Sequence, residues 1–141
     1  MKVRCLFVAL FLFGLVAPAT ADIRIYKSGS SWAQIESDGD VYINGSRVGQ
    51  IESDGDIYRN GSRIGEVESD GDIYRNGSRI GQVESDGDLY VGGSRVGQIE
   101  SDGDIYRSGS RWGQANSCCS GFRELQLVAA VLLFFDSSFS R

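Results

Sequence analysis

The stretch Val67-Glu68-Ser69-Asp70-Gly71-Asp72-Ile73-Tyr74-Arg75-Asn76-Gly77-Ser78-Arg79-Ile80-Gly81-Gln82 is one copy of a 16-residue unit that occurs five times in succession, the other copies beginning at Ile35, Ile51, Val83 and Ile99. A period this short means that each copy is one small supersecondary unit, able to bury its apolar groups only against its neighbours. Two turn signals divide the unit. One is Ser-Asp-Gly-Asp, as at Asp70-Gly71; the other is Asn-Gly-Ser at Asn44, Asn60 and Asn76, relaxed to Gly92-Gly93 and Ser108-Gly109. Glycine accepts positive φ without steric penalty, so both signals mark tight reversals.

Between the turns lie segments of four to six residues, such as Asp72-Ile73-Tyr74-Arg75 and Arg63-Ile64-Gly65-Glu66-Val67-Glu68, carrying the Ile, Val and Tyr that strands prefer. Each repeat therefore reads as two short antiparallel strands. Ile64 and Val67 are three apart and would face opposite sides of a regular strand, which requires either a bulge at Gly65 or burial on both faces. Ile73 and Tyr74 are adjacent, so one points into a common core and the other between units or outward; the aliphatic residue is assigned to the core. The tyrosine ladder of Tyr26, Tyr42, Tyr58, Tyr74, Tyr90 and Tyr106 reads first as packing with the hydroxyl at the rim. Tyr42, Tyr58, Tyr74, Tyr90 and Tyr106 are also the candidate ligand-binding positions.

Outside the full units (35–50, 51–66, 67–82, 83–98 and 99–114), residues 22–34 match the Tyr-containing half of a unit, with Trp32 standing where later units have Val48 or Ile64. Trp112 holds the same place in the last unit. A leading half-unit caps an open solenoid, or else supplies a strand near Ile23 to Tyr26 that closes a ring by pairing near Arg111 to Ala115 and leaves no sheet edge exposed. Lys2 and Arg4, the apolar run Cys5 to Val16 and the small residues Ala19-Thr20-Ala21 form the pattern of a secretory signal peptide over residues 1–21. An exported chain is the expectation, in the periplasm, the cell envelope or the extracellular space.

After a connector at 115–121, residues 122–135 run Phe-Arg-Glu-Leu-Gln-Leu-Val-Ala-Ala-Val-Leu-Leu-Phe-Phe, and 136–141 form a tail. Ser120 suits an N-cap and Glu124 the first turn of a helix. From Leu127 to Phe135 the helix is apolar on every side, so it must be buried in protein or in lipid. Fourteen residues reach only about 21 Å, short of the roughly 30 Å hydrocarbon core, so membrane contact is not expected. A ring of hairpins has a central hole that one apolar helix would fill, and this favours the ring over the solenoid. The fold expected is an all-β repeat of radially arranged short hairpins, closed around a C-terminal apolar α-helix. A helix left as a membrane-surface or partner-binding tail is the competing reading.

The repeat at Ile51 to Gly65 resembles that of secreted bacterial proteins described as β-flowers, and the apolar end Val128 to Phe135 is similar to the C-terminus of that group. The resemblance implies hairpins set like petals, and five Glu-Ser-Asp-Gly-Asp copies suit its five-fold version. It implies no activity and transfers no functional residues.

Composition narrows function further. The 141 residues hold 14 Lys plus Arg, 19 Asp plus Glu and no His; without Lys2 and Arg4 the count is 12 against 19, a net of −7. Acidic charge interspersed unit by unit excludes the basic stripe that nucleic acid requires. Glu36, Asp38 and Asp40, with their equivalents in each repeat, could offer oxygen ligands to Ca²⁺, though turn-forming Asp-Gly explains the same residues. Arg47, Arg63, Arg79, Arg95 and Arg111 are expected to balance these acids across neighbouring units. Adjacent Cys118 and Cys119 are expected to pack at the mouth of the ring, or else to link to another chain, rather than to bond to each other. A chain without His whose acids recur in near-identical copies lacks the unique asymmetric constellation of an enzyme, and neither a catalytic residue nor a cofactor is assigned. The expectation is a non-enzymatic structural or binding module, with a glycan, a small ligand or a protein as possible partner.

Overall fold

Six two-residue turns set the architecture. At Asn44-Gly45 φ is 48° and 81°, and Asn60-Gly61, Asn76-Gly77, Gly92-Gly93, Ser28-Gly29 and Ser108-Gly109 repeat the pair of positive values. This conformation matches the right-handed twist of the strands on either side and closes a hairpin without splaying it. The computed structural model, which describes residues 21–139, shows the resulting strands. They are β1 (Ile23–Lys27) and β2 (Ser30–Ile35), β3 (Asp40–Ile43) and β4 (Ser46–Ile51), β5 (Asp56–Arg59) and β6 (Ser62–Val67), β7 (Asp72–Arg75) and β8 (Ser78–Val83), β9 (Asp88–Val91) and β10 (Ser94–Ile99), and β11 (Asp104–Arg107) and β12 (Ser110–Asn116). The signal peptide read at residues 1–21 lies, but for Ala21, outside the described residues.

Each hairpin pairs antiparallel with the next, and β1 pairs with β12, so the sheet is a closed barrel. Ile25 stands opposite Ala115 and Tyr26 opposite Gln114 across the seam. The leading half-unit is thus a full member of the ring, and the solenoid reading is set aside. Five acidic loops join six hairpins, because the β1–β12 contact needs no loop; the five-fold count suggested by those loops is corrected to six. Trp32 and Trp112 meet edge to face at this seam, ring centroids 5.4 Å apart.

The register resolves the Ile64 question. Ile57 stands opposite Gly65 and Tyr58 opposite Arg63, so the residue bulged out of the ladder is Ile64, one place before the expected Gly65. Gly65 and Val67 then share the inner face with Ile57, Ile57 and Val67 being 0% and 1% exposed, while Ile64 is partly buried against the core. Gly65 needs no unusual φ; it is required by space. A Cβ there would lie 2.3 Å from the Tyr74 carbonyl oxygen and 2.5 Å from the ring of Phe134.

Phe134 belongs to α1 (Phe122–Phe135), which occupies the lumen. Val128, Val131, Leu132, Leu133 and Phe134 are buried in one cluster with the inward Ile, Val and Leu of the strands. Burial of five such side chains is worth on the order of 10 kcal/mol, comparable to the net stability of a whole domain. Beyond α1, Phe139 is fully buried and stacks edge to face on Trp112 at 5.2 Å, so part of the segment read as a tail is core.

Two outcomes follow from this packing. A chain ended after Cys119 loses the lumen filling and is expected to show no cooperative thermal transition and to aggregate on sizing; a monomer with an unchanged transition would contradict the arrangement. Gly65→Ala is expected to cost about 1–3 kcal/mol by overpacking, read as a lowered urea midpoint.

Candidate functional site

Strand alternation fixes what the outer wall displays. With Ile57 inside, Asp56 and Tyr58 face out, and the register sets Tyr58 between Gln50 of β4 and Arg63 of β6. The same trio recurs as Gln34–Tyr42–Arg47, Glu66–Tyr74–Arg79, Gln82–Tyr90–Arg95 and Gln98–Tyr106–Arg111. All five sequence-assigned tyrosines therefore occupy equivalent, half-buried outer positions. Tyr26 departs from the set, since Ser31 rather than an arginine lies opposite it.

The arginines are held in place. Arg47, Arg63, Arg79, Arg95 and Arg111 donate to Asp40, Asp56, Asp72, Asp88 and Asp104 at 2.8–3.0 Å. The pairs join the two strands of one hairpin, which corrects the expectation that they bridge neighbouring units. Asp40 stands opposite Gln50 and Tyr42 opposite Arg47, so the arginine reaches along the outer face of its own hairpin to the aspartate, as its equivalents do. Arg63 also donates to Glu66 and Arg79 to Gln82, so each guanidinium is fixed beside its tyrosine.

Between hairpins this pattern makes a shallow groove. One, of about 360 Å³, is lined by Arg79, Gln82 and Glu84 on one side and Tyr90 and Gly92 on the other. Another, of about 220 Å³, lies across the closing seam between Arg111 and Gln114 and Tyr26 and Gly29. The seam reproduces the groove of the interior repeats, although no covalent link crosses it.

The acidic loops are built by hydrogen bonds within themselves. Asp56 N–H donates to the Asp54 carboxylate at 3.0 Å, and Gly55 N–H to the Glu52 carbonyl at 3.0 Å. Gly55 has φ of 97°, and a Cβ there would fall 2.0 Å from the Val67 carbonyl oxygen, so this loop packs directly on the next hairpin. Glu36, Asp38 and Asp40 bring carboxylate oxygens within 4.8 Å of one another, as do their four equivalents. The Asp38 oxygen already accepts the Asp40 N–H, and Asp40 already pairs with Arg47. Turn formation and the ion pair account for two of the three acids.

The charges perturb one another in a consistent sense. Hydrogen bonding to Arg47 holds Asp40 below the usual carboxylate value, whereas desolvation and then Asp38, Asp22 and Asp40 push Glu36 above it. Glu36, Glu52, Glu68 and Glu84 each raise the phenol of the neighbouring Tyr42, Tyr58, Tyr74 and Tyr90.

The opposite mouth carries a group of cations that the sequence reading missed. Residues two places after the inward Ile also face inward, and here they are Lys27, Arg59, Arg75 and Arg107. Arg75 lies over the Phe134 ring at 4.9 Å and donates to the Leu133 carbonyl; Arg59 lies over Phe135 at 5.2 Å. Arg107 donates to the Ser138 carbonyl. Lys27 pairs at 2.7 Å with Asp136, which is buried. Burial pushes the Asp136 carboxyl up, but its bonds to Lys27 and Ser138 prevail and hold it below the ordinary value. The signal was present, because this position varies as Lys, Ile, Arg, Arg, Val, Arg in a repeat otherwise nearly constant. Cys118 and Cys119, expected to remain apart, are bonded to each other across a cis peptide with Cα atoms 3.3 Å apart, and Cys119 is buried at the acidic mouth.

No protein-family model, curated protein or solved structure matches the chain.

The pKa directions give a pH response with a worked sign. Stability from Asp40, whose value is lowered, is present above pH 3.8 and lost as pH falls through the lowered value; the cost of ionised Glu36, whose value is raised, is relieved as pH falls towards 4.5. Thermal midpoints are expected to hold or rise slightly from pH 6 to pH 5 and to fall below pH 4. Arg47→Gln is expected to make that fall shallower, as measured by differential scanning calorimetry across the range.

Proposed function

We propose that the chain is an exported, non-enzymatic binding module whose outer wall presents repeated shallow sites for a saccharide-like ligand. The observation that carries this reading is the recurrence of one outer set, a tyrosine face beside an ion-paired arginine, a carboxylate and, in four of five successive trios, an amide that Glu66 replaces in the remaining one, and its return in the inter-hairpin grooves. Such a set offers an apolar ring for the face of a sugar and fixed donors and acceptors for its hydroxyls. Shallow sites bind weakly one at a time, but several on one rigid ring convert later contacts into intramolecular ones, so a polymeric ligand gains far more than a monosaccharide.

Other readings have less support. The outward strand positions are Asp, Tyr, Arg and Gln, so the wall is not one that faces lipid. No described helix is long and apolar enough to cross a membrane. The lumen covers the apolar residues of α1, which leaves the reading of a lipid- or partner-binding tail without an exposed apolar face. Kinship with the β-flower group is likewise proposed, supported by the closed ring of hairpins around an apolar helix and qualified by its six-fold count.

A glycan array probed with the purified chain tests the function. Signal is expected for extended polysaccharides over their monomers; Tyr58→Ala and Tyr74→Ala should each weaken it, and the double variant by on the order of tenfold or more, with circular dichroism unchanged. Absence of glycan signal, or signal indifferent to both substitutions in folded protein, sinks the saccharide reading.

A further inference from the structure

A helix is about 10 Å across, whereas a barrel of eight strands is already filled by its own side chains and one of twelve is wider. One helix therefore cannot touch the whole wall. α1 leans towards the third, fourth and neighbouring hairpins: Phe134 lies against Gly65, Leu133 against Gly81, and Phe122 against Gly71. On the far side, beneath the first two acidic loops, a cavity of about 570 Å³ remains between the helix and the wall.

Its walls are Ile23, Ile35 and Ile51 from the strands and Leu127 from the helix, and its mouth carries Glu36, Asp38 and Glu124. The volume lies in the range of small-molecule sites, about 300–1,000 Å³. We infer that this cavity is a second binding site, distinct from the outer grooves, for a small amphipathic cation, its hydrocarbon body among the isoleucines and its ammonium head at the three carboxylates.

Charge selects that occupant. Arg123, the basic residue at the mouth, donates to the Glu52 carbonyl at 2.9 Å and keeps its positive charge, so with Glu36, Asp38 and Glu124 the mouth carries a net charge of −2. Desolvation, and then the negative field of Asp38, Asp22 and Asp40, push the Glu36 carboxyl up, and a bound cation relieves the part due to those charges. The first turn of α1 favours an anion, but Glu124 already stands there. An apolar tail without a head group would leave the acidic mouth uncompensated.

Calorimetric titration of the purified full chain with decyltrimethylammonium, below its micelle concentration, tests the site against decanoate and decanol of the same chain length. One cation per chain is expected, with decanoate on the order of tenfold weaker or worse. Leu127→Trp, at a half-buried position, should fill the cavity and abolish binding; Glu124→Gln, which removes charge without adding bulk, should weaken the cation several-fold and leave decanol unchanged. The proposal is overturned by absence of cation binding. It is overturned equally by decanoate binding as tightly, or by a folded Leu127→Trp that binds as before. None of these results bears on the glycan array.

Discussion

The structure depends on filling a hole. Twelve short strands can satisfy every backbone edge only by closing, and closure at that number leaves a lumen wider than the strand side chains fill. An empty lumen would forfeit dispersion contacts along its whole lining, and a water-filled one would wet Ile25, Ile57, Ile73 and Ile105, all of which are fully buried. The apolar helix supplies the missing contacts, and the repeat is shaped to receive it. Gly49, Gly65, Gly81, Gly97 and Gly113 form a band of the inner wall without side chains, and at four of the five an aromatic or leucine side chain from the C-terminal segment comes within van der Waals reach. Ala33 takes the same place in the first hairpin, so the band is smallest where the helix leans and slightly larger opposite.

The direction in which the helix enters is set by charge as well as by connectivity. Its N-terminal end, where free N–H groups make a partial positive charge, lies at the acidic loops, with Arg123 and Gln126 donating to the Glu52 and Ser69 carbonyls. Its C-terminal end, partially negative, meets Arg59, Arg75 and Arg107, and Arg75 donates to the Leu133 carbonyl near the end of the helix. Anions at the first turn and cations at the last each contribute favourably with the helix dipole. The reversed helix would face unfavourable charge at both mouths. Lys27 adds a specific tie, because its partner Asp136 ends the helix while Lys27 itself lies in β1, the strand that closes the ring.

Much of this was legible in residues and some was not. Asn60-Gly61 and Asp54-Gly55 announce the two reversals because few other dipeptides accept the required φ, and Leu127 to Phe135 announces burial because it has no polar face. The seam was readable from the front half-unit, since a strand in register with the repeat needs a partner. What escaped was the position of the bulge: Ile64 and Gly65 differ in sequence logic only through the neighbouring strand, whose carbonyl leaves no room for a side chain at 65. Arg59 and Arg75 escaped for a similar reason. Counting alternation from Ile57 puts them inside, but an inward arginine makes sense only once a helix end and its phenylalanine rings are known to be there. The outer trios combine both cases. The tyrosines were singled out from the repeat, while the amide, or at Tyr74 the carboxylate of Glu66, and the arginine beside each came from cross-strand register.

Repetition in the chain and asymmetry in the molecule meet in the lumen. A wall of six near-equivalent hairpins can offer only the same groove several times, which suits a ligand that is itself a repeat. A single helix cannot share that symmetry: it must choose a side, and its choice of Gly65 and Gly81 makes the remaining hairpins unequal partners. The inner surface between the first two acidic loops and Leu127 is left open, so this cavity arises from placing an unrepeated element inside a repeated one. Identical outer sites and one inner site are thus consequences of the same packing. A substitution that shifts the helix across the lumen would move the inner site while leaving the outer wall as it is.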